Sequence, residues 1–296
     1  MTLRHLKIFV NVCDENNMTR AAEKLYMAQP AVSCAIHELE EYYGITLFDR
    51  ISHKLYITEQ GKTFLGYARH ITALFDEMEK QVKNADALGG FRVGASNTVG
   101  TVYMPSIIAE FKRLYNDFIV SVCVNNSDTI EEMLLKNELD FAIIEGIVHS
   151  DNIICRPISF DRLAVVCRPD NPLLKEPFID IERFASEPFL LRERSSGTRE
   201  MFENAMAMLG YTVKPLWEST NTEALIMAVI NNLGISVLPY VLVKQYIKLG
   251  QVSELTVEKL RLDRQLCIIY HKNKFLSPVM RDFLMTCEKS IDHLHE

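Results

Sequence analysis

The sequence predicts an α+β multidomain chain: a small helical head closed by a short hairpin, a long linking helix and a C-terminal α/β domain. Three observations carry this. Residues 18–50 hold two short helical patterns with almost nothing between them. Residues 59–87 place apolar side chains at alternating steps of four and three. From Phe91 onward, strand-like apolar runs alternate with helical ones, the mark of an α/β domain. A length of 296 residues suits two domains, or one domain with a tethered module.

In the head, Leu3, Leu6, Phe9 and Val10 share one helical face and predict a first helix. A second helix is expected from Thr19, as N-cap, to Leu25, with Ala21, Ala22 and Leu25 as its small apolar face. A third runs from about Pro30, whose missing N–H costs nothing in a first turn, to Tyr43. Val32, Ile36, Leu39 and Tyr43 form its buried stripe, Gln29, Ser33, Cys34 and His37 its polar face, and Gly44 its stop. Two helices joined by a tight turn, the second with a short polar face, make the helix-turn-helix pattern. Leu47–Arg50 and Lys54–Thr58 then read as two strands of a wing, with Arg50 and Lys54 placed to meet phosphates.

Thr58 is expected to cap a helix over Glu59–Ala87. Phe64, Ala68, Ile71, Phe75, Met78, Val82 and Ala85 form a heptad seam, which argues for a helix partner from a second copy of the chain. The chain's own head should cover only the first turn or two. Leu88-Gly89-Gly90 reads as a hinge. Beyond it, strands are expected at Phe91–Ala95, Phe118–Val124, Asp140–Ile144, Ile153–Ile158, Leu163–Cys167, Phe189–Arg192, Thr212–Trp217, Gly234–Leu238 and Gln265–Tyr270. Helices are expected at 98–115, 127–137, 198–209, 221–232, 239–249 and 277–293, giving a mostly parallel sheet.

The run Thr19-Arg-Ala-Ala, Leu25, Gln29-Pro-Ala-Val-Ser33, Ile36, Leu39-Glu40, Gly44 and Leu47-Phe-Asp-Arg50 resembles the LysR-type transcriptional regulators. So does Leu55-Tyr-Ile-Thr-Glu-Gln-Gly61. With looser motifs, Phe91–Gly100, Asp140–Glu145 and Asn232–Pro239 resemble the effector domain of that family, so the likeness spans essentially the whole chain. It implies a winged helix-turn-helix DNA-binding domain at 1–58, a linker and dimerisation helix with hinge at 59–90, and an effector-binding domain at 91–296. The last would be similar to periplasmic binding proteins, with subdomain one at 91–160 and 267–296 and subdomain two at 161–266. It further implies a homodimer or homotetramer on double-stranded DNA, contact with RNA polymerase, both activation and autorepression, and no cofactor. Three positions depart from the family: relatives usually carry Arg or Lys where this chain has Cys34 and His37, and Ser where it has Ala28.

In the head, Thr19 and Arg20 would approach the DNA backbone, Gln29, followed by Pro30, would reach an adenine edge, and Ser33 would meet a phosphate or a base. Candidate effector ligands cluster at strand-to-helix junctions: Ser96-Asn97-Thr98, Ser127, Arg194-Ser195-Ser196-Gly197-Thr198, and Thr220-Asn221. Free N–H groups at helix starts and hydroxyl donors suit a small anion or carboxylate. Glu145, ending the third strand, would either bind an amino group or repel an anion. The run Glu193–Glu200 resembles the branch linked to sulfur and nitrogen metabolism, which points to an inorganic sulfur anion or a small amino-acid-derived acid.

Net charge is −7, with eight basic and eight acidic side chains in residues 1–70, so DNA affinity per head should be modest and pairing necessary. No HExxH, GxSxG or P-loop spacing appears, which argues against an enzyme. The seven scattered cysteines form no CxxC pair, and Leu191–Leu209 holds none, against a peroxide sensor of this family. The N-terminus has no signal-peptide pattern and no stretch reaches membrane-spanning length, so a cytoplasmic regulator is expected rather than an exported binding protein. The alternative is a regulator of the same fold controlled by a protein partner, without ligand.

Overall fold

The computed structural model describes residues 1–51, 54–83, 90–176 and 179–295. The chain divides into a head, Met1–Gly89, and a larger unit beginning at Gly90. In the head, α1 (Leu3–Glu15) buries Leu6, Ile8, Phe9 and Val12, and α2 (Met18–Lys24) buries Ala21 and Ala22. The cap of α2 is Asn17, not Thr19: its side chain accepts from the N–H groups of Thr19 at 2.8 Å and Arg20 at 3.1 Å. Asn ranks above Thr at this position, and the helix with its cap starts two residues earlier than expected. Helix α3 (Gln29–Tyr43) buries Val32, Ala35, Ile36 and Leu39 and stops at Gly44, whose φ of +65° needs no Cβ accommodation.

The wing is the antiparallel pair β1 (Phe48–Ile51) and β2 (Lys54–Ile57). Glu40 ties it to α3 by accepting from the N–H of Leu47 at 2.8 Å. Thr58 accepts from the N–H of Gly61 at 2.9 Å and so starts α4 (Glu59–Lys83), as expected. The head covers more of α4 than one or two turns. Phe9 packs edge-on against Phe64, Ala68 and Thr72 are buried, and Lys7 pairs with Asp76 at 2.7 Å. Arg69 pairs with Asp14. Of the seam residues, Ile71 and Met78 remain exposed, while the side chain of Val82, with Ala85 and the 88–89 hinge, lies outside the described residues.

The larger unit runs β3 (Gly90–Ser96), α5 (Asn97–Val102), α6 (Met104–Leu114), β4 (Ile119–Asn125), α7 (Ser127–Leu135) and β5 (Phe141–Glu145). A long strand β6 (Ile153–Cys167) leads to α8 (Ile181–Ala185), β7 (Phe189–Arg192), α9 (Gly197–Met208) and β8 (Pro215–Ser219). Then come α10 (Thr222–Ile230), β9 (Ile235–Pro239), α11 (Tyr240–Lys248), β10 (Ser253–Leu255), β11 (Asp263–His271) and α12 (Pro278–His295). The strand order is β4-β3-β5-β11-β6-β9-β7-β8, with β10 on β6. The sheet is parallel only toward its ends, where β3 pairs β4 and β5, and β7 pairs β8 and β9. Its middle, β5-β11-β6-β9, is antiparallel, which corrects the expectation of a mostly parallel sheet.

Two cores flank that middle. Lobe one gathers Phe91, Phe111, Phe141 and Phe283, and lobe two gathers Phe184, Phe189 and Phe202. Strands β6 and β11 cross between them. The two apolar runs expected at Ile153–Ile158 and Leu163–Cys167 are one continuous strand, and the helix expected over 98–115 is two, broken at Tyr103 before Pro105. The short elements α8 and β10 had no periodic signal long enough to find them.

Replacing Phe9, fully buried between Phe48 and Phe64, with Ala should destabilise the head by about 3–5 kcal/mol. Differential scanning calorimetry should show a transition assigned to the head moving down in temperature while that of the larger unit stays in place.

Candidate functional site

The head presents Thr19, Arg20, Gln29, Pro30, Cys34 and His37 to solvent, with Ser33 half-buried, so most of the expected DNA face is accessible. The strands carry Arg50 and Lys54, but their side chains lie outside the described residues. Cys34 donates to Glu38 at 3.3 Å, and that contact pushes its thiol above the usual range. Cys34 is therefore a neutral thiol beside a carboxylate that His5 also approaches at 3.2 Å. The turn joining α2 to α3 is a Schellman motif. The N–H of Met27 reaches the carbonyl of Ala22 at 2.8 Å, and that of Tyr26 the carbonyl of Glu23 at 3.1 Å.

In the larger unit, the expected junctions converge in part. Ser96 and Thr98, where β3 meets α5, both donate to the Glu145 carboxylate at the end of β5, Thr98 at 2.7 Å. Ser127 donates to the Glu145 carbonyl at 3.2 Å. Gly197, at the start of α9 in lobe two, packs so close that a Cβ there would sit 2.8 Å from the same carbonyl and 3.2 Å from Ser127 Oγ. Gly146, at φ +111°, lies on the other side of this contact. The two lobes therefore meet backbone to backbone at Glu145-Gly146 and Gly197.

The centre of the cluster is a residue that no sequence motif singles out. Arg264, on β11, has its guanidinium fully buried. Nη2 lies 2.6 Å from Asp161 Oδ2 and Nε 3.1 Å from the same oxygen. Nη1 lies 3.3 Å from Glu145 Oε1. The guanidinium also donates to Thr98 of lobe one at 3.4 Å and to Thr198 of lobe two at 3.1 Å. Tyr103, beside this cluster and 1% exposed, is pushed up to about 12 by burial first and by Asp161 second, with Arg264 opposing. The signal that could have found the cluster is periodicity. Arg264 is in phase with buried Leu262, Leu266 and Ile268, and Asp161 with buried Leu163, Val165 and Cys167. A charge on the apolar face of a strand must be paired.

Other expected ligands stand apart. Asn221 is a helix cap, its side chain accepting from the N–H groups of Glu223 and Ala224 at the start of α10. Thr220 and Arg194 are exposed, and Ser195 half-buried. Asn97 is half-buried and Ser196 buried, the latter as the N-cap residue of α9. Beside them, Arg192 grips Glu193 with two 2.9 Å bonds and reaches Thr222 at 3.1 Å, and buried Arg199 pairs with Glu203 and Glu218. His149 lies 3.5 Å from Glu200 of α9, and Glu131 holds its loop by accepting from the backbone of His149 and Ser150.

A helical DNA-binding head followed by a two-lobed domain with a polar cluster between its lobes defines a ligand-responsive type of regulator. Residues 3–62 match the model of the bacterial regulatory helix-turn-helix proteins of the lysR family, and residues 85–291 that of the LysR substrate binding domain. The chain belongs to the LysR family of transcriptional regulators. It is 34% identical to the HTH-type transcriptional regulator YeiE of Escherichia coli K12 over 97% of both chains. The regulatory domain of CcmR from Synechocystis PCC6803, solved in complex with 2-PG, is 25% identical with a TM-score of 0.63, covering 68% of this chain and 96% of that one. A full-length OxyR variant from Pseudomonas aeruginosa shares the fold at 22% identity and a TM-score of 0.65, over 98% of this chain and 94% of that one.

Arg264→Gln would leave Asp161 and Glu145 buried around a neutral amide. The larger unit should lose about 3–5 kcal/mol, seen as a lower denaturation midpoint in urea with an unchanged slope.

Proposed function

We propose that this regulator is controlled by a small anion or carboxylate bound between the two lobes, at Ser96, Thr98, Ser127, Thr198 and Arg264. The observation that carries the reading is the Arg264 guanidinium, which donates to a hydroxyl of each lobe while facing a carboxylate. Glu145 occupies the place an effector carboxylate would take: two hydroxyl donors and a guanidinium converge on it. An effector that displaces Glu145 inherits those donors, and by holding both lobes it biases the arrangement of the domain. The complex of the CcmR domain with 2-PG supports a small anion as the class of ligand.

The same reading keeps the domain limits at 1–58, 59–90 and 91–296. The head reads double-stranded DNA as part of a homodimer or homotetramer, with RNA polymerase as a further partner. It places the protein in the cytoplasm and gives it no enzymatic activity. Among the described residues no helix is long and apolar enough to cross a membrane. Exposed Ile71, Leu74 and Met78 on α4 support a second copy as the helix partner.

Two measurements test this. Thermal unfolding of the full-length protein with sulfate, phosphate, 2-PG and simple carboxylates should show a shift of a few degrees for one of them at about a hundred times its Kd, and Thr198→Ala should abolish it. No shift with any of these anions would reject the anion reading. In the head, Gln29→Ala should narrow the gap between specific and non-specific DNA binding by roughly 1–3 kcal/mol, the worth of a bidentate hydrogen-bond pair to a base edge. An unchanged gap would remove Gln29 from base reading.

A further inference from the structure

The turn of the helix-turn-helix holds a residue that none of these roles uses. Tyr26 is 98% exposed. Its φ is +53°, because it occupies the left-handed position of the Schellman turn that ends α2. Glycine is the usual occupant there, since a bulky side chain is disfavoured at positive φ. The ring returns nothing to the fold: it lies in solvent, and its hydroxyl has no hydrogen-bond partner among the described residues. The turn itself is held by two backbone bonds that any residue would make. Strained positions that contribute no packing concentrate at functional sites.

Its position says which function. Tyr26 stands three residues before Gln29, the first residue of α3, and two residues after the end of α2, whose Thr19 and Arg20 are exposed. The head balances eight cations against eight anions in residues 1–70, and α3 carries Cys34 and His37 on its polar face rather than fixed cations. In such a head an uncharged donor adds a phosphate contact to those of its few cations. We infer that Tyr26 is a DNA-backbone contact, its phenol hydroxyl donating to a phosphate oxygen beside the groove entered by α3. The contact fixes the register of α3 on the duplex and carries no sequence information. It rests on the head binding DNA, and it adds a residue to that surface.

The test measures stability and DNA binding on the same full-length variants, with a labelled mixed-sequence duplex followed by fluorescence anisotropy across a salt series. Tyr26→Gly should raise the Tm of the head by a few degrees, because glycine relieves the left-handed strain. It should also weaken duplex binding roughly tenfold. The slope of log Kd against log salt should stay unchanged, since a neutral phenol releases no counterion. Tyr26→Phe should keep the wild-type Tm and forfeit most of the same affinity. A glycine variant that binds as tightly as wild type would overturn the assignment and leave the exposed ring to a protein partner. A glycine variant with a lower Tm would overturn it in favour of a structural role. A wild-type protein that binds no duplex at low salt would remove the DNA-binding role of the head, and Tyr26 with it; binding by wild type with no weakening in either variant removes Tyr26 alone.

Discussion

The two-lobed unit depends on one buried guanidinium. Arg264 sits without solvent contact on a strand that crosses between the lobes, and a cation there is tolerable only if its donors are met. They are met from three directions: Asp161 on the neighbouring crossing strand, Glu145 and Thr98 from lobe one, and Thr198 from lobe two. In a domain of this shape a ligand would be expected to bridge the lobes. Here a side chain does so, and the lobes are in contact where Gly197 lies against the Glu145 carbonyl. The absence of a Cβ at Gly197 is what allows that approach.

The cluster also explains why its members other than Arg264 and the two acids carry neutral hydroxyls. Two carboxylates face one guanidinium, leaving an excess negative charge in a buried place. Ser96 and Thr98 spread that charge by donating to Glu145, and Tyr103 stays firmly neutral, its proton held by burial and by the nearby Asp161. A lysine or arginine at any of the hydroxyl positions would need more room than the closed contact gives. Hydroxyls supply donors at small volume.

Much of this was legible in the sequence, and the illegible part has a physical cause. The head was legible because its signals are local: a periodic stripe in α3, of which Val32, Ile36 and Leu39 are buried while Tyr43 is exposed, a stop at Gly44, and a cap at Thr58. Asn17 does not stand out in the sequence because Thr19 offers the same chemistry two residues on, and only geometry decides between them. Ser96, Thr98, Ser127, Glu145 and Thr198 lie at strand ends or helix starts and do come together. Thr220 and Asn221 have the same local appearance and stand apart, Thr220 exposed and Asn221 acting as a cap. Arg264 and Asp161 lie over a hundred residues apart in sequence, and only strand pairing makes them partners. Their phase with apolar neighbours was visible, but pairing is a long-range fact that no local pattern encodes.

A self-filled cleft changes what an effector must do. A ligand shifts a conformational equilibrium only by its differential affinity for the two states. If its carboxylate merely replaces Glu145 on Ser96, Thr98 and Arg264, most of the gain on those donors is already present without it. The net effect is then the difference between two carboxylates, one tethered and one free. On the proposed reading, discrimination among anions would then come from the rest of the ligand, through groups that Glu145 cannot imitate. On the proposed reading, the contacts already made in the free protein favour this arrangement, and an effector would act only through its differential affinity for another one.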